Sequence, residues 1–423
     1  MLRTIRRLAL DVSPVRESRD YRLLFIGQIV SNLGTQAALV ALPYQIFVVS
    51  HSAALVGLLG LFELGPMIVV SLVGGALADR YDRRRLLAIA QLAVIAAAGA
   101  LGAASLAGNP PVAVVLVLGG LLAGGAALDG VTRAAIIPNV LGPENLRSGL
   151  ALNFGIYQVT GIVGPAIGGL LIAATSEGVV YLVDAASCLA MLAAALAIAP
   201  QRPVGAEHPP VLHSIAEGLR FVRSNRALAG SFAIDLVAMT FGMPRALFAV
   251  LSLTVYHAGA AGTGALYSAV AAGATLAVLS SGWIRHARRL GQIVIGAVLV
   301  WGAAIAVAGL VNTIGPAIAL LALAGFADSV SAVCRTTINQ TVTPDELRGR
   351  MSAVFSLVVT SGPRLGDIES GTVAGLTSAM TSVVSGGIAC VVGVGLIMLA
   401  FPQLAAYGTA HGPPIATPAD STP

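Results

Sequence analysis

Apolar residues fill almost the whole chain in long blocks, and polar residues gather in short breaks between them. Twelve blocks stand out: 23–48, 53–78, 86–107, 111–133, 150–174, 178–199, 228–255, 262–284, 291–312, 315–337, 351–377 and 381–401. About twenty apolar residues in a helix cross the ~30 Å hydrocarbon layer of a bilayer. A backbone amide finds no water in that layer, so each block is expected to be a helix that bonds internally. The pattern predicts an all-α polytopic membrane protein with twelve transmembrane helices and no room for a large soluble domain.

The polar breaks alternate in character. Six arginines lie before or at the start of the first block: Arg3, Arg6, Arg7, Arg16, Arg19 and Arg22. The breaks after spans 2, 4, 6, 8 and 10 carry fourteen more, including Arg80, Arg83, Arg84 and Arg85 after span 2. The alternate breaks, near 50, 109, 176, 258, 313 and 379, carry none. Arginine-rich loops stay in the cytoplasm, so both termini are expected there. A cytoplasmic arm (1–22) leads into the first span, with no cleavage pattern of a signal peptide.

The break at 200–227 is the longest. It opens with Pro200, Pro203, Pro209 and Pro210, then continues as LHSIAEGLRFVRSNRAL. Leu212, Ile215, Leu219 and Val222 share one side of a helix, as expected of an amphipathic helix at a membrane surface. The linker divides the chain into bundles at 23–199 and 228–401. The end, 402–423, is rich in Pro, Ala and Thr and is expected to be a disordered cytoplasmic tail.

Composition agrees with this picture. The 423 residues are 57% hydrophobic and 10% charged, against roughly 25% charged in a soluble domain. Mean hydropathy is +0.88. All 24 basic residues are arginine, the bias expected of a GC-rich bacterial genome. The net charge of +5 therefore speaks for topology rather than nucleic-acid binding. Cys188, Cys334 and Cys390 are far apart in apolar stretches, and read as small buried hydrophobes.

The two halves echo each other. LGPENLR (141–147) recurs as VTPDELR (342–348), and Arg133 and Arg335 precede them at similar spacing. GPAIGG (164–169) recurs as GPRLGD (362–367). Repeated six-span halves with a substrate site between them are a transporter architecture.

The loop GALADRYDRRRLL (75–87) resembles the signature of the major facilitator superfamily through Gly75, Leu77, Asp79, Arg80, Arg83, Arg84 and Leu87. Asp82 stands where that pattern has glycine. With GPENL after span 4 and GPRLGD in span 11, the likeness extends to bacterial exporters of the enterobactin-exporter type. The resemblance implies that Gly75, Asp79, Arg80, Arg83 and Arg84 gate the cytoplasmic side. GPAIGG resembles a motif of antiporters in the superfamily, so Gly164, Pro165, Gly168 and Gly169 are expected to form a hinge. Three small residues flatten a helix face, and a proline bends the helix.

Ionisable groups inside the spans are costly and mark function. They are the acids Glu63, Asp129, Asp184, Asp235, Asp328, Asp367 and Glu369 and the bases Arg133, Arg245, Arg335 and Arg364. Helical spacing pairs Asp129 with Arg133, Arg364 with Asp367 and Asp328 with Arg335. Glu63, Asp184, Asp235, Arg245 and Glu369 have no local partner, and Asp184 fits a place at the outer interface. A buried, unpaired carboxyl can exchange protons near neutral pH. Glu63, Asp235, Asp328 and Asp367 are the proton-coupling candidates. Gln28, Asn32 and Gln36 recur every four residues in span 1 as a stripe facing the central cavity, suited to a polar or catechol-like substrate. Tyr44, Phe154, Tyr157 and Phe248 are further cavity candidates, or ordinary packing.

No P-loop, metal spacing or dinucleotide loop is present, so no enzyme activity, cofactor or metal is expected. The expected function is secondary active transport in the bacterial inner membrane. A monomer would export a small organic molecule, a siderophore or amphipathic drug, by alternating access in exchange for protons. A proton-coupled uptake symporter and a non-transporting sensor or assembly factor are the alternatives.

Overall fold

The computed structural model describes residues 11–202 and 211–408. Most of the expected arm, the prolines from Pro203 to Pro210 and the tail from 409 lie outside the described residues. Within them, helices occupy all twelve expected blocks. The first half holds α1 (Ser13–Glu17), α2 (Arg19–Ser50), α3 (Ala53–Ala78), α4 (Arg83–Ala107), α5 (Val112–Val140), α6 (Pro143–Ala174) and α7 (Glu177–Ala197). The linker contributes α8 (Val211–Ser224). The second half holds α9 (Arg226–Phe241), α10 (Leu247–Thr254), α11 (Gly259–Ser280), α12 (Leu290–Ala308), α13 (Ile314–Val342), α14 (Arg348–Leu376), α15 (Ala379–Ala400) and α16 (Pro402–Ala406). Ten of these helices are long and apolar enough to cross a membrane. The remaining two blocks differ: α14 carries several charges, and block 228–255 is broken into α9 and α10.

The break has a local cause. Pro244 lacks an amide hydrogen and cannot continue the helical ladder. The groups freed at the break find other partners. Trp301 Nε1 donates to the Gly242 carbonyl at 2.8 Å, Tyr267 Oη to the Arg245 carbonyl at 3.0 Å, and the Ala246 amide to Asp367 Oδ1 at 3.0 Å. Irregular backbone at membrane depth survives only when neighbours satisfy it in this way.

The helices α2–α7 pack into one bundle and α9–α15 into another, joined through α3 against α14 and α6 against α11. These two contacts are backbone-close at the arginine-poor end. A Cβ on Gly57 would lie 2.6 Å from the Asp367 carbonyl oxygen and 2.7 Å from Gly371 Cα. One on Gly169 would lie 2.6 Å from the Ala260 carbonyl oxygen. Glycine is what allows such approach. Toward the arginine-rich end, α3 and α14 part around a crevice of about 340 Å³ between Met67–Leu72 and Ser356–Ser361, with Ile215 of α8 beside it.

Two expected segments differ in detail. The linker helix α8 packs on α14, where Val222 joins Leu228, Met351 and Val354 in an apolar cluster and Arg350 Nε meets Glu217 Oε2 at 2.8 Å. Residues 402–408, expected within a disordered tail, are folded. Leu404 is buried, and the Gly291 amide donates to the Tyr407 carbonyl at 3.2 Å.

Candidate functional site: a central cavity and its ion pairs

A cavity of about 350 Å³ opens among the first-half helices and ends against α14. The expected stripe of Gln28, Asn32 and Gln36 lines it, joined by Ser31 and Thr35 on the same helix. Gln91, Asp129, Arg133, Tyr157, Asp184, Glu63 and Arg364 complete its polar wall. Of the aromatic candidates, Tyr157 lines this cavity. Phe248 is buried edge-on against Tyr267 at 5.0 Å between ring centres. Phe154 is exposed, and Tyr44 is partly buried against the core.

The cavity floor is an ion-pair cluster joining the two halves. Glu63 lies ten positions into α3, roughly 15 Å from its start at 1.5 Å per residue, so it stands near mid-membrane. Its Oε2 accepts Arg364 Nε of α14 at 2.9 Å. Arg364 also faces Asp367 Oδ2 at 3.5 Å, and Arg245 reaches the same oxygen at 3.7 Å. Two carboxylates thus meet two guanidinium groups. Arg245 comes from the break between α9 and α10.

A second cluster lies inside the second half. Arg335 Nη2 contacts Asp235 Oδ1 at 2.7 Å and Asp328 Oδ1 at 3.8 Å, while its Nη1 donates to Ser331 Oγ at 2.7 Å. In the first half, Arg133 meets Asp129 at 2.5 Å, and Gln91 Nε2 donates to the same carboxylate at 2.9 Å.

The local pairings expected from spacing are therefore present, but two are not the main contacts. Arg364 lies nearer Glu63 than Asp367, and Arg335 lies nearer Asp235 than Asp328. Glu63, Asp235 and Arg245, which lack a partner on their own helices, gain one across helices. All four proton-coupling candidates have a guanidinium within 4 Å.

Asp184 corrects the sequence reading most. It does not face an outer interface: it is 1% exposed and lines the cavity. Thr35 Oγ1 donates to its Oδ1 at 3.1 Å, and the Cys188 thiol approaches at 3.8 Å. Among the described residues it makes no ion pair. The clue was available in span 1, where Gly27, Ser31 and Gly34 form a small-residue stripe beside the amide stripe. Small residues mark a closely packed neighbour. A Cβ on Gly34 would lie 3.0 Å from Asp184 Cα.

The loop 79–82 sits at the arginine-rich end. Asp79 caps α3 and is exposed, as is Arg80, and neither makes an ion pair among the described residues. Arg83 is tied to its own half, donating to the Ala78 carbonyl at 3.0 Å and the Ala135 carbonyl at 2.9 Å. The Arg84 amide donates to Asp82 Oδ1 at 3.0 Å, as does the Gln201 amide at 2.9 Å. Asp82, the departure from the family glycine, is thus the N-cap of α4. Gly75 donates no ion-pair chemistry; its carbonyl accepts the Asp79 amide at 3.2 Å. The glycines around Pro165 are contact points in an unbroken α6: Gly164 meets Gln36, Gly168 meets Ala37 and Gly169 meets Gly264.

Comparison with known proteins agrees with this geometry. Residues 10–414 match the family model described as transmembrane secretion effector. The "Enterobactin exporter EntS" of Shigella boydii serotype 4 is 30% identical over 420 residues, 97% of this chain and 98% of that protein. The protein of the same name from Citrobacter koseri is 30% identical, covering 92% of each chain. Among solved structures, a POT family transporter aligns with a TM-score of 0.72 at 11% identity, over 92% of this chain and 97% of that one. The nucleoside transporter NupG aligns at 0.70 and 13% identity, over 92% of this chain and all of NupG. A family match over nearly the whole chain, on a fold of two six-helix halves, makes this protein a member of the transmembrane secretion effector family within the major facilitator superfamily.

Proposed function

We propose that the chain is a secondary active transporter that exports a siderophore-like molecule across the bacterial inner membrane in exchange for protons. The observation that carries this is the cavity whose floor is the Glu63–Arg364 pair joining the two halves. Such a pair can hold one arrangement of the halves and break in the other, which alternating access requires. The arginine-rich loops favour the cytoplasmic side for that end and for both termini, and the close α3–α14 and α6–α11 contacts would then close the outward side. Asp79 and Arg80, which make no ion pair among the described residues, fit that state, with the 75–84 loop acting as the cytoplasmic gate when the halves close there. The glycines of α6 form the pivot contact with α2 and α11.

The substrate class rests on two supports. Relatives at 30% identity over nearly full length are named as exporters of enterobactin. The cavity presents Gln28, Asn32, Gln36, Ser31 and Thr35, whose amides and hydroxyls both donate and accept hydrogen bonds. Its volume of about 350 Å³ is at the low end of the ~300–1,000 Å³ typical of small-molecule sites.

The test is complementation. A bacterium lacking its own enterobactin exporter is expected to secrete intact enterobactin again when it expresses this chain. Unchanged secretion, with the protein present in the membrane, would reject the substrate class. Increased uptake instead of release would reverse the direction.

A further inference from the structure

We infer that Asp184, held by Thr35 at the closed end of the cavity, is the group that carries the exchanged proton. This rests on the proton-exchange reading above and names the residue that performs it.

Neutralisation sets Asp184 apart from the other buried acids. Glu63 and Asp367 share Arg364 and Arg245, Asp235 and Asp328 share Arg335, and Asp129 has Arg133. Asp184 is more deeply buried than any of these, 1% exposed against 2% for Asp235, the next most buried, yet among the described residues it has no cation within 4 Å. An isolated anion in a dry site is costly unless something neutralises it. Its polar neighbours are one hydroxyl and one thiol, too few donors to replace the water a carboxylate would have. A proton, or further donors from a bound ligand, must make up that deficit when the halves close around the cavity.

Its position suits exchange. Asp184 lies seven positions into α7, roughly 10 Å from the arginine-poor end at 1.5 Å per residue. The cavity lined by the amide stripe reaches it from the other side. The groups facing it are few. Cys188 shares its helix, and α2 offers Thr35 and Ser31, which do not ionise in this range. From α4 comes the neutral Gln91. Asp129–Arg133 and Glu63–Arg364, each already paired, border the same cavity, as does Tyr157 of α6.

The cycle then balances. Asp184 takes a proton while the cavity faces the arginine-poor side. The neutral acid passes through the closed state. Once the cavity faces the arginine-rich side, the proton leaves to water as the substrate presents hydrogen-bond donors to the carboxylate.

Infrared difference spectroscopy of the purified full-length protein in lipid, titrated through the near-neutral range, reads this directly and needs no substrate. Wild type is expected to show a carboxylic-acid carbonyl band that titrates, absent in Asp184→Asn and retained in Glu63→Gln. A band that persists in Asp184→Asn, or that only Glu63→Gln removes, overturns the assignment. Should Asp184→Asn fail to fold, Thr35→Val keeps the carboxyl and removes its donor, so the band should move. An unmoved band overturns the assignment equally. In vesicles, Asp184→Asn is expected to lose proton-driven enterobactin accumulation at least tenfold and to keep enterobactin counterflow. Equal loss of both would mean a structural role and overturn it. Absence of both in wild type, with the infrared result intact, would fault the substrate reading alone.

Discussion

Glu63→Gln isolates the charge on the pair that joins the halves. Gln keeps an oxygen that can accept from Arg364 at the present 2.9 Å but removes the negative charge. A hydrogen bond to a charged group contributes ~1.5–3 kcal/mol and a neutral one ~0.5–1.5, so the loss is about 1–2 kcal/mol. Arg364 keeps Asp367 at 3.5 Å, so it is not left alone and the larger penalty of an orphaned buried charge is avoided. The cost falls on the arrangement closed at the arginine-poor end, because the pair spans α3 and α14. The ratio of closed to open molecules should fall roughly 5–30-fold. Double electron–electron resonance measures it, with spin labels on Asn109 and Asn312, exposed residues at the arginine-poor end of the two halves. The native cysteines are buried, so labels go to the introduced sites. The long-distance population should grow in Glu63→Gln. It should not change in Asp345→Asn, which breaks the exposed Arg348–Asp345 pair, a kind of contact worth little. An unchanged distribution in Glu63→Gln would refute the latch.

Three other outcomes follow. Arg335→Leu leaves Asp235 and Asp328 facing each other without a cation and should cost about 3–5 kcal/mol of stability, read as a lowered unfolding temperature in detergent; Arg335→Leu combined with Asp235→Asn should recover part of it. Gly57→Val forces α3 from Gly371 and should weaken the closed end by ~1–3 kcal/mol, widening the same spin-label distances. Asp82→Ala removes the cap of α4 and should cost ~1 kcal/mol, whereas Asp82→Asn should be nearly neutral in the same thermal assay.

The spans and the amide stripe were legible because lipid solvation and helical spacing act within single segments. Gln28, Asn32 and Gln36 need only a four-residue period to share a face, and the cavity is where that face points. The Glu63–Arg364 and Asp235–Arg335 pairs were not legible, because they join helices whose contact depends on assembly of the whole bundle. The break after Phe241 had a local signal in Gly242 and Pro244, but its apolar surroundings read as one span. Asp184 was misplaced for a related reason. Its depth along α7 suggests an edge position, and only the packing of Gly34 against α7 turns it toward the cavity.

Inside-out membrane vesicles carrying the chain test the account most directly. Imposing a proton gradient should drive enterobactin into the vesicles, and an uncoupler should abolish the accumulation. Accumulation that survives the uncoupler would contradict proton exchange, and none at all with the protein intact would contradict export of this class of molecule.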